Sequence, residues 1–155
     1  MIEKEEIKRI LEQEVKDVNF FIVEISIHPN DKIRIHVDNQ NGITIEECVK
    51  ISRSVEQVLL SKDLEFELEV SSPGLDMPLK VLPQFEKSIG KNIEVVGKDG
   101  MKRIGILKKL FEKGIELEEK ENVKIQGKKK KEIQLKNAQI FFDDIKSTKI
   151  FISLK

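Results

Sequence analysis

The sequence predicts an α+β protein of two small domains, and three observations support this prediction. Before residue 80, apolar residues recur at helical spacing in two segments and alternate with polar residues in three others. After residue 83, short alternating segments follow one another with glycine-bearing turns between them, a pattern typical of a small antiparallel β-barrel. Proline and glycine cluster between the two patterns, in LEVSSPGLDMPL at residues 68–79. We therefore predict an N-terminal domain over residues 1–80 and a C-terminal domain over residues 84–155.

The N-terminal domain is predicted to have the order α-β-β-α-β. An amphipathic helix over residues 3–17 comes first. Two alternating strands follow, joined by HPND, whose proline, asparagine and aspartate favour a tight turn at residues 29–31. This turn fixes the register of the hairpin, and the paired polar side chains should point away from the core. The predicted pairs are His28 with Lys32, Ser26 with Arg34, and Glu24 with His36.

The second helix is predicted to start at a capping box, in which Thr44 and Glu47 satisfy each other's backbone amides. The strand LEFELEV (residues 64–70) follows this helix, so the crossover should make it parallel to the second strand of the hairpin. Both helices should then cover one face of a three-stranded sheet, while the other face stays charged and solvated. The predicted inner stripe of the second helix is Ile45, Cys48, Val49, Ser52, Val55 and Leu59.

The net charge is zero, because 28 Lys and Arg residues balance 28 Asp and Glu residues, but the two halves differ in sign. Residues 1–82 hold 10 Lys and Arg against 17 Asp and Glu, a net charge of −7, and residues 83–155 hold 18 against 11, a net charge of +7. Nucleic-acid phosphates would attract the basic half. The sequence contains no run of 18 apolar residues, so no membrane span is predicted. The single cysteine cannot form an internal disulfide. We expect a cytoplasmic protein.

The stretch between the domains is predicted to form a stiff corner. Pro73 and Gly74 suit the two central positions of a type II turn, because proline fixes the first φ and glycine accepts a positive φ at the second. Ser72 and Met77 each precede a proline, which favours extended backbone. By physical reasoning alone, a structural role is favoured over a binding role for this junction motif. Its residues are Ser71, Ser72, Pro73, Gly74, Leu75, Asp76 and Pro78.

Two segments, RIHVDNQNGITIEECVKIS and LEVSSPGLDMPL, resemble sequences typical of the RimP family of bacterial ribosome maturation factors. RIHVDNQNGITIEECVKIS (residues 34–52) resembles the family's strand ending in aspartate, its Gly-Ile pair and its cysteine-bearing helix. LEVSSPGLDMPL resembles the family's Glu-Val-Ser-Ser-Pro-Gly-Leu-Asp-Arg-Pro-Leu signature at residues 69–76, 78 and 79. Met77 stands where the family usually has arginine, which removes a cation from the corner. The C-terminal half agrees with the family in length and strand pattern.

The resemblance implies both a fold and a role. The family has an N-terminal α/β domain and a C-terminal SH3-like or Sm-like barrel, in agreement with the fold class predicted above. It implies a non-enzymatic assembly factor that binds the immature small (30S) ribosomal subunit, with ribosomal RNA and a basic ribosomal protein near the decoding region as partners. We expect a monomer with no cofactor, membrane partner or small-molecule substrate. A generic RNA- or protein-binding adaptor is the alternative function.

Candidate binding residues form two groups of opposite charge. Basic side chains that cover phosphates release counterions and bind in a salt-dependent way, although a solvated surface that keeps a small domain soluble explains a lysine run equally well. The candidate RNA-binding residues are Lys102, Arg103, Lys108, Lys109, Lys128, Lys129, Lys130 and Lys131. Glu65, Glu67 and Glu69 form one acidic row, which is either ordinary solvated surface or a dock for a basic ribosomal protein.

The residues give no support for catalysis or for a metal site. A serine nucleophile needs a base within reach, but both histidines are predicted on the exposed face of the hairpin. The sequence around Ser71 and Ser72 does not match the nucleophile motif G-x-S-x-G. The chain also contains no glycine-rich phosphate-binding motif. The histidines and aspartates lack metal-ligand spacing, and Cys48 is predicted to be a small buried apolar residue. We therefore expect neither an enzyme nor a metal protein.

Overall fold

The computed structural model describes residues 2–74, 77–124 and 131–152, and the side chains of these residues except 122–124 and 131–132. Contacts between Cα atoms divide the chain into an N-terminal unit, Met1–Gly74, and a C-terminal unit, Leu75–Lys155. The division falls within the junction motif. The fold is mixed α+β, with a three-stranded sheet in the first unit and a five-stranded antiparallel sheet in the second.

The N-terminal unit has the predicted order α-β-β-α-β. Its elements are α1 (Lys4–Glu14), β1 (Phe21–His28), β2 (Lys32–Asp38), α2 (Ile45–Ser61) and β3 (Glu67–Ser71). Strands β1 and β2 pair with the register that the HPND turn predicted, and Asn30 and Asp31 in that turn adopt positive φ of 67° and 53°. Strand β3 runs parallel to β2, as the crossover predicted, so the sheet order is β1-β2-β3.

The core of this unit lies between the sheet and its two helices. Ile33, Ile35 and Val37 alternate along β2 and are fully buried, so they mark the face that the helices cover. Ile7 of α1 and Ile51 of α2 belong to the same cluster and are also fully buried. Both helices therefore pack on one face of the sheet, as predicted.

The inner stripe predicted for α2 was partly wrong. The residues buried on this helix are Cys48, Ile51, Val55 and Leu59. Ile45 and Val49 were predicted to point inward, but they are 84% and 41% exposed. The reason lies in the sheet: β3 is its edge strand, so the flank of α2 beyond β3 meets no further strand among the described residues.

The C-terminal unit begins with a short helix and continues as a meander of strands. Its elements are α3 (Leu82–Lys87), β4 (Asn92–Gly97), β5 (Lys102–Phe111), β6 (Gly114–Lys124), β7 (Lys131–Phe141), a 3-10 turn (Phe142–Asp144) and β8 (Ile145–Ile150). The strand order is β7-β6-β5-β4-β8, and every neighbouring pair is antiparallel. In the part of the chain that the structure describes, no pairing joins the edge strands β7 and β8, so the structure does not show the closed barrel that the sequence predicted.

Two glycines of this sheet sit where no larger residue fits. A Cβ on Gly105 of β5 would collide with the backbone oxygen of Glu118 and lie 2.9 Å from Leu117 Cγ, both on β6. A Cβ on Gly114 would collide with the backbone oxygen of Ile140. These glycines allow β6 to approach its neighbours closely over a core that includes Ile93, Leu107 and Leu117.

Strands β6 and β7 extend beyond the rest of the sheet. Strand β5 pairs with β6 only as far as the pair Ile106–Glu118, whereas the pairing of β6 with β7 continues to Lys124–Lys131. Among the described strands, the residues of β6 after Glu118 therefore have backbone pairing with β7 alone. We call this two-stranded segment, residues 119–124 and 131–136, the β6–β7 ribbon.

Candidate functional site

The acidic row predicted on β3 lies beside a basic row on β2. The parallel register places Lys32 next to Glu67 and Arg34 next to Glu69. Lys32 Nζ is 3.9 Å from Glu67 Oε2, and Arg34 Nε is 3.5 Å from Glu69 Oε2. The side chains of Glu67 and Glu69 are still 75% and 55% exposed, and Glu65 is exposed just before the strand. The row is thus partly neutralised on one flank and open to solvent on the other.

Sequence reasoning missed a groove between α2 and β3. It has a volume of about 380 Å³, and Ile45, Cys48 and Val49 of α2 line it together with Leu68 and Val70 of β3. The missing signal was the position of β3 at the edge of the sheet, because the apolar spacing of α2 alone does not reveal which flank is covered. An exposed apolar groove beside an edge strand is a common place for a protein partner to bind.

The loop between β2 and α2, which carries part of the family resemblance, is held by side-chain hydrogen bonds. Asp38 Oδ1 accepts from the backbone amides of Asn39 at 2.9 Å and Ile43 at 3.4 Å. The capping box is present, since Glu47 N donates to Thr44 Oγ1 at 3.1 Å and Thr44 N donates to Glu47 Oε1 at 3.1 Å. The loop therefore fixes where α2 begins.

The junction motif crosses the boundary between the two units. Leu75 and Asp76 lie outside the described residues, so the turn predicted for Pro73 and Gly74 stays a prediction. After the boundary, Leu79 N donates to Thr148 O at 2.7 Å, which ties this end of the motif to β8.

Two of the basic residues predicted on β5 form ion pairs with neighbouring strands. Lys102 Nζ is 3.5 Å from Glu94 Oε1 of β4, and Lys108 Nζ is 3.2 Å from Glu118 Oε2 of β6. These pairs lower the net positive charge that the strand presents to a phosphate. Lys109 is exposed and has no ion pair with any residue the structure describes.

Arg103 is the most tightly paired of the candidate RNA-binding residues whose side chains the structure describes. Its Nε donates to Glu119 Oε2 at 3.1 Å, and its Nη2 forms a second, shorter hydrogen bond to Glu119 Oε1. This forked contact raises the pKa of Arg103 above its usual value, mainly through the hydrogen bond to Glu119. The structure therefore assigns Arg103 to the contact between β5 and β6.

The lysine run lies largely outside the described residues. Nothing in the structure bears on Lys128, Lys129 or Lys130, and Lys131 is described only as the first backbone position of β7. On the ribbon itself, Ile133 and Leu135 are 65% and 63% exposed. They occupy alternate positions of β7 and so point to the same side of the ribbon.

No cluster of metal-ligating side chains occurs in residues 2–74, 77–124 and 131–152 taken together. Cys48 is buried, and its pKa is raised above the usual value, chiefly because burial disfavours the thiolate and also because Glu47 and Asp38 are nearby. At neutral pH the thiol therefore stays protonated. Within the described segments, no helix is both long enough and apolar enough to cross a membrane.

Comparison with known proteins identifies the family. Residues 10–76 match the model of the RimP N-terminal domain. Proteins called ribosome maturation factor RimP from two strains of Porphyromonas gingivalis are 39% and 38% identical to this chain over 147 residues, which is 94% of this chain and 96% of theirs. The protein of the same name from Flavobacterium psychrophilum is 37% identical over 93 residues, covering 59% of this chain and 60% of that one.

The alignments with the two Porphyromonas proteins span 94% of this chain and therefore include residues of both units. This chain therefore belongs to the RimP family of ribosome maturation factors.

Proposed function

We propose that this protein is a ribosome maturation factor that binds the immature small (30S) ribosomal subunit and assists its assembly. The observation that supports this most is the 39% identity, over 94% of the chain, with a protein named ribosome maturation factor RimP. In this proposal the protein works as a cytoplasmic monomer, without catalysis of its own, and contacts ribosomal RNA and a basic ribosomal protein near the decoding region.

The two units carry opposite charges that suit two different partners. The acidic row on β3 gives the N-terminal unit a surface for a basic protein, because complementary potentials favour association. The C-terminal unit contains the lysine run and Lys109, which has no ion pair among the described residues, and these basic side chains suit RNA phosphates. We propose that this second unit is an SH3-like or Sm-like barrel, and its strand order supports this, since the last strand returns to pair with the first strand of the meander.

Co-sedimentation with ribosomal particles tests the proposed function. We expect the protein to sediment with free small subunits at low salt, and with neither large subunits nor joined ribosomes. Raising the salt concentration should weaken the binding, because phosphate contacts release counterions. Equal binding to all three particles would instead favour a general RNA- or protein-binding adaptor. Binding to none of them would overturn the assembly role.

The salt dependence of binding also identifies the basic residues that touch RNA. Changing Lys128–Lys131 to glutamates should lower the slope of log K against log salt concentration by about 3, if each lysine covers a phosphate. Lys109→Ala should lower it by a smaller step of about 0.7–0.9. Lys50→Ala, an exposed lysine of the acidic unit, is the matched control and should leave the slope unchanged. An unchanged slope in the Lys128–Lys131 variant would show that these lysines lie away from the phosphates.

A further inference from the structure

Strand β3 is an edge strand of its sheet, with β2 as its neighbour on one side. Glu67 N donates to Asp31 O at 3.1 Å, so the backbone groups of Glu67 face β2. Because successive residues of a strand direct their backbone groups to alternate sides, those of Leu68 and Val70 face the outer edge. In the described part of the chain, no strand pairs with this edge. A row of unpaired amides and carbonyls is a template for a further strand.

The groove lies beside this edge, on the face of the sheet to which the side chains of Leu68 and Val70 point. Across from them, Ile45 and Val49 of α2 leave apolar surface exposed, with Cys48 lying deeper in the groove. A strand added to β3 would place every second side chain in the groove, against these apolar residues. The side chains between them would lie on the opposite face of the sheet.

On that opposite face the new strand would meet carboxylates. Glu67 and Glu69 each have one oxygen within 4 Å of a cation on β2, and a carboxylate can accept contacts from more than one donor. Lysines or arginines on the added strand would flank the acidic row from its open side. The net charge of the whole N-terminal unit is also negative. Residues 1–74 contain 9 Lys and Arg against 16 Asp and Glu, a net charge of −7.

The other edge of the same sheet is less suited to a partner. Strand β1 has an irregularity in its register between Ile22 and Glu24, whereas β3 pairs with β2 without a break. A bulge bends and twists an edge strand, and proteins use such bulges to prevent unwanted strand pairing. Over Glu67–Ser71, β3 has no such irregularity.

We propose that the β3 edge and its groove bind an extended segment of a basic protein, in which apolar residues alternate with lysines or arginines. The segment adds a fourth strand to the sheet, with its apolar side chains in the groove and its basic side chains on the acidic row. This deepens the proposed function, because identifying the partner as a ribosomal protein rests on that function.

The full-length protein and a synthetic peptide test the proposal without ribosomes. The probe is a ten-residue peptide of alternating lysine and valine, and the matched control contains five lysines followed by five valines. We expect the alternating peptide to bind at least about tenfold more tightly. Hydrogen exchange followed by NMR should show new protection at the amides of Leu68 and Val70. Equal affinity for both peptides, or an absence of that protection, would overturn the proposal.

Backbone methylation of the peptide separates strand addition from simple charge attraction. In a strand, the amides of alternate residues face the same neighbour. N-methylation of either all valines or all lysines should therefore abolish binding, while methylation of the other set leaves it nearly unchanged. Whichever set is sensitive also reveals whether the added strand is parallel or antiparallel. If both methylated peptides bind as well as the parent, no strand is added at this edge.

Variants of the protein locate the site. Val49→Lys places a charge in the groove and should weaken binding of the alternating peptide by about tenfold or more, whereas Leu60→Lys changes an exposed apolar residue of the same helix outside the groove and should have little effect. Glu69→Lys should weaken binding likewise, and its control is Glu56→Lys, at an exposed position of α2 that does not line the groove. If the two members of each pair weaken binding equally, the groove is not the site. Peptide binding without subunit binding would leave this inference standing while the proposed function fails.

Discussion

Replacing Ile51 by alanine is expected to lower the free energy of unfolding of the N-terminal unit by about 2–5 kcal/mol, because the change leaves a cavity among fully buried side chains. Ile51 lies in the middle of α2 and belongs to the cluster formed with β2 and α1. A small unit has only a few kcal/mol of net stability, so a loss of this size should leave much of it unfolded near 37 °C.

Ile45→Ala is the matched control for this prediction, because it makes the same chemical change on the same helix at a position that is 84% exposed. Its effect should be within about 0.5 kcal/mol of zero. Urea unfolding followed by the NMR signals of the N-terminal unit measures both variants. Equal losses in the two would mean that the buried stripe of α2 has been misassigned.

The second large effect is expected at Gly105. Alanine at this position would force β5 away from the Glu118 backbone and the Leu117 side chain, and such overpacking typically costs about 1–3 kcal/mol. The upper part of this range applies, since one of the two colliding groups is backbone and has no rotamer to change. We expect the C-terminal unit to lose about 3 kcal/mol of stability.

Gly100→Ala separates this steric effect from the ordinary cost of losing a glycine. Gly100 has a positive φ of 86°, but a Cβ there would meet nothing within 4 Å. Alanine at Gly100 should cost about 1 kcal/mol, from backbone strain alone. Thermal unfolding of the C-terminal unit compares the two, and a change of 1 kcal/mol corresponds to about 4–8 °C in a domain of this size. Similar shifts would show that β5 and β6 can separate to accommodate a methyl group.

Local rules made part of the fold predictable. The register of β1 with β2 follows from a turn of three residues, and the start of α2 follows from the Thr44–Glu47 capping box. The parallel pairing of β3 follows from the handedness of a crossover connection. Each of these predictions depends on residues that are close in sequence, or on a rule that all sheets obey.

The binding surfaces depended on contacts that the sequence does not reveal. Arg103 and Glu119 pair because two strands align in one particular register, and this pairing partly neutralises a residue that the sequence predicted to bind RNA. The exposure of Ile45 and Val49 likewise depends on β3 being the last strand of its sheet. Helical periodicity predicted an apolar stripe on α2, but it does not tell where the covering sheet ends.

The length of the β6–β7 ribbon can change without disturbing the rest of the five-stranded sheet. Beyond Glu119, whose side chain binds Arg103, the backbone of the ribbon pairs with no third strand among those described, so opening this end breaks the backbone bonds of one hairpin. The backbone amides of the ribbon should exchange hydrogen through local fraying. The amides of the buried residues Ile115 and Leu117 should exchange only when the whole unit unfolds. Residue pairs can therefore be added to or removed from the ribbon, during evolution or by engineering, while the core beneath β5 and β6 keeps its packing.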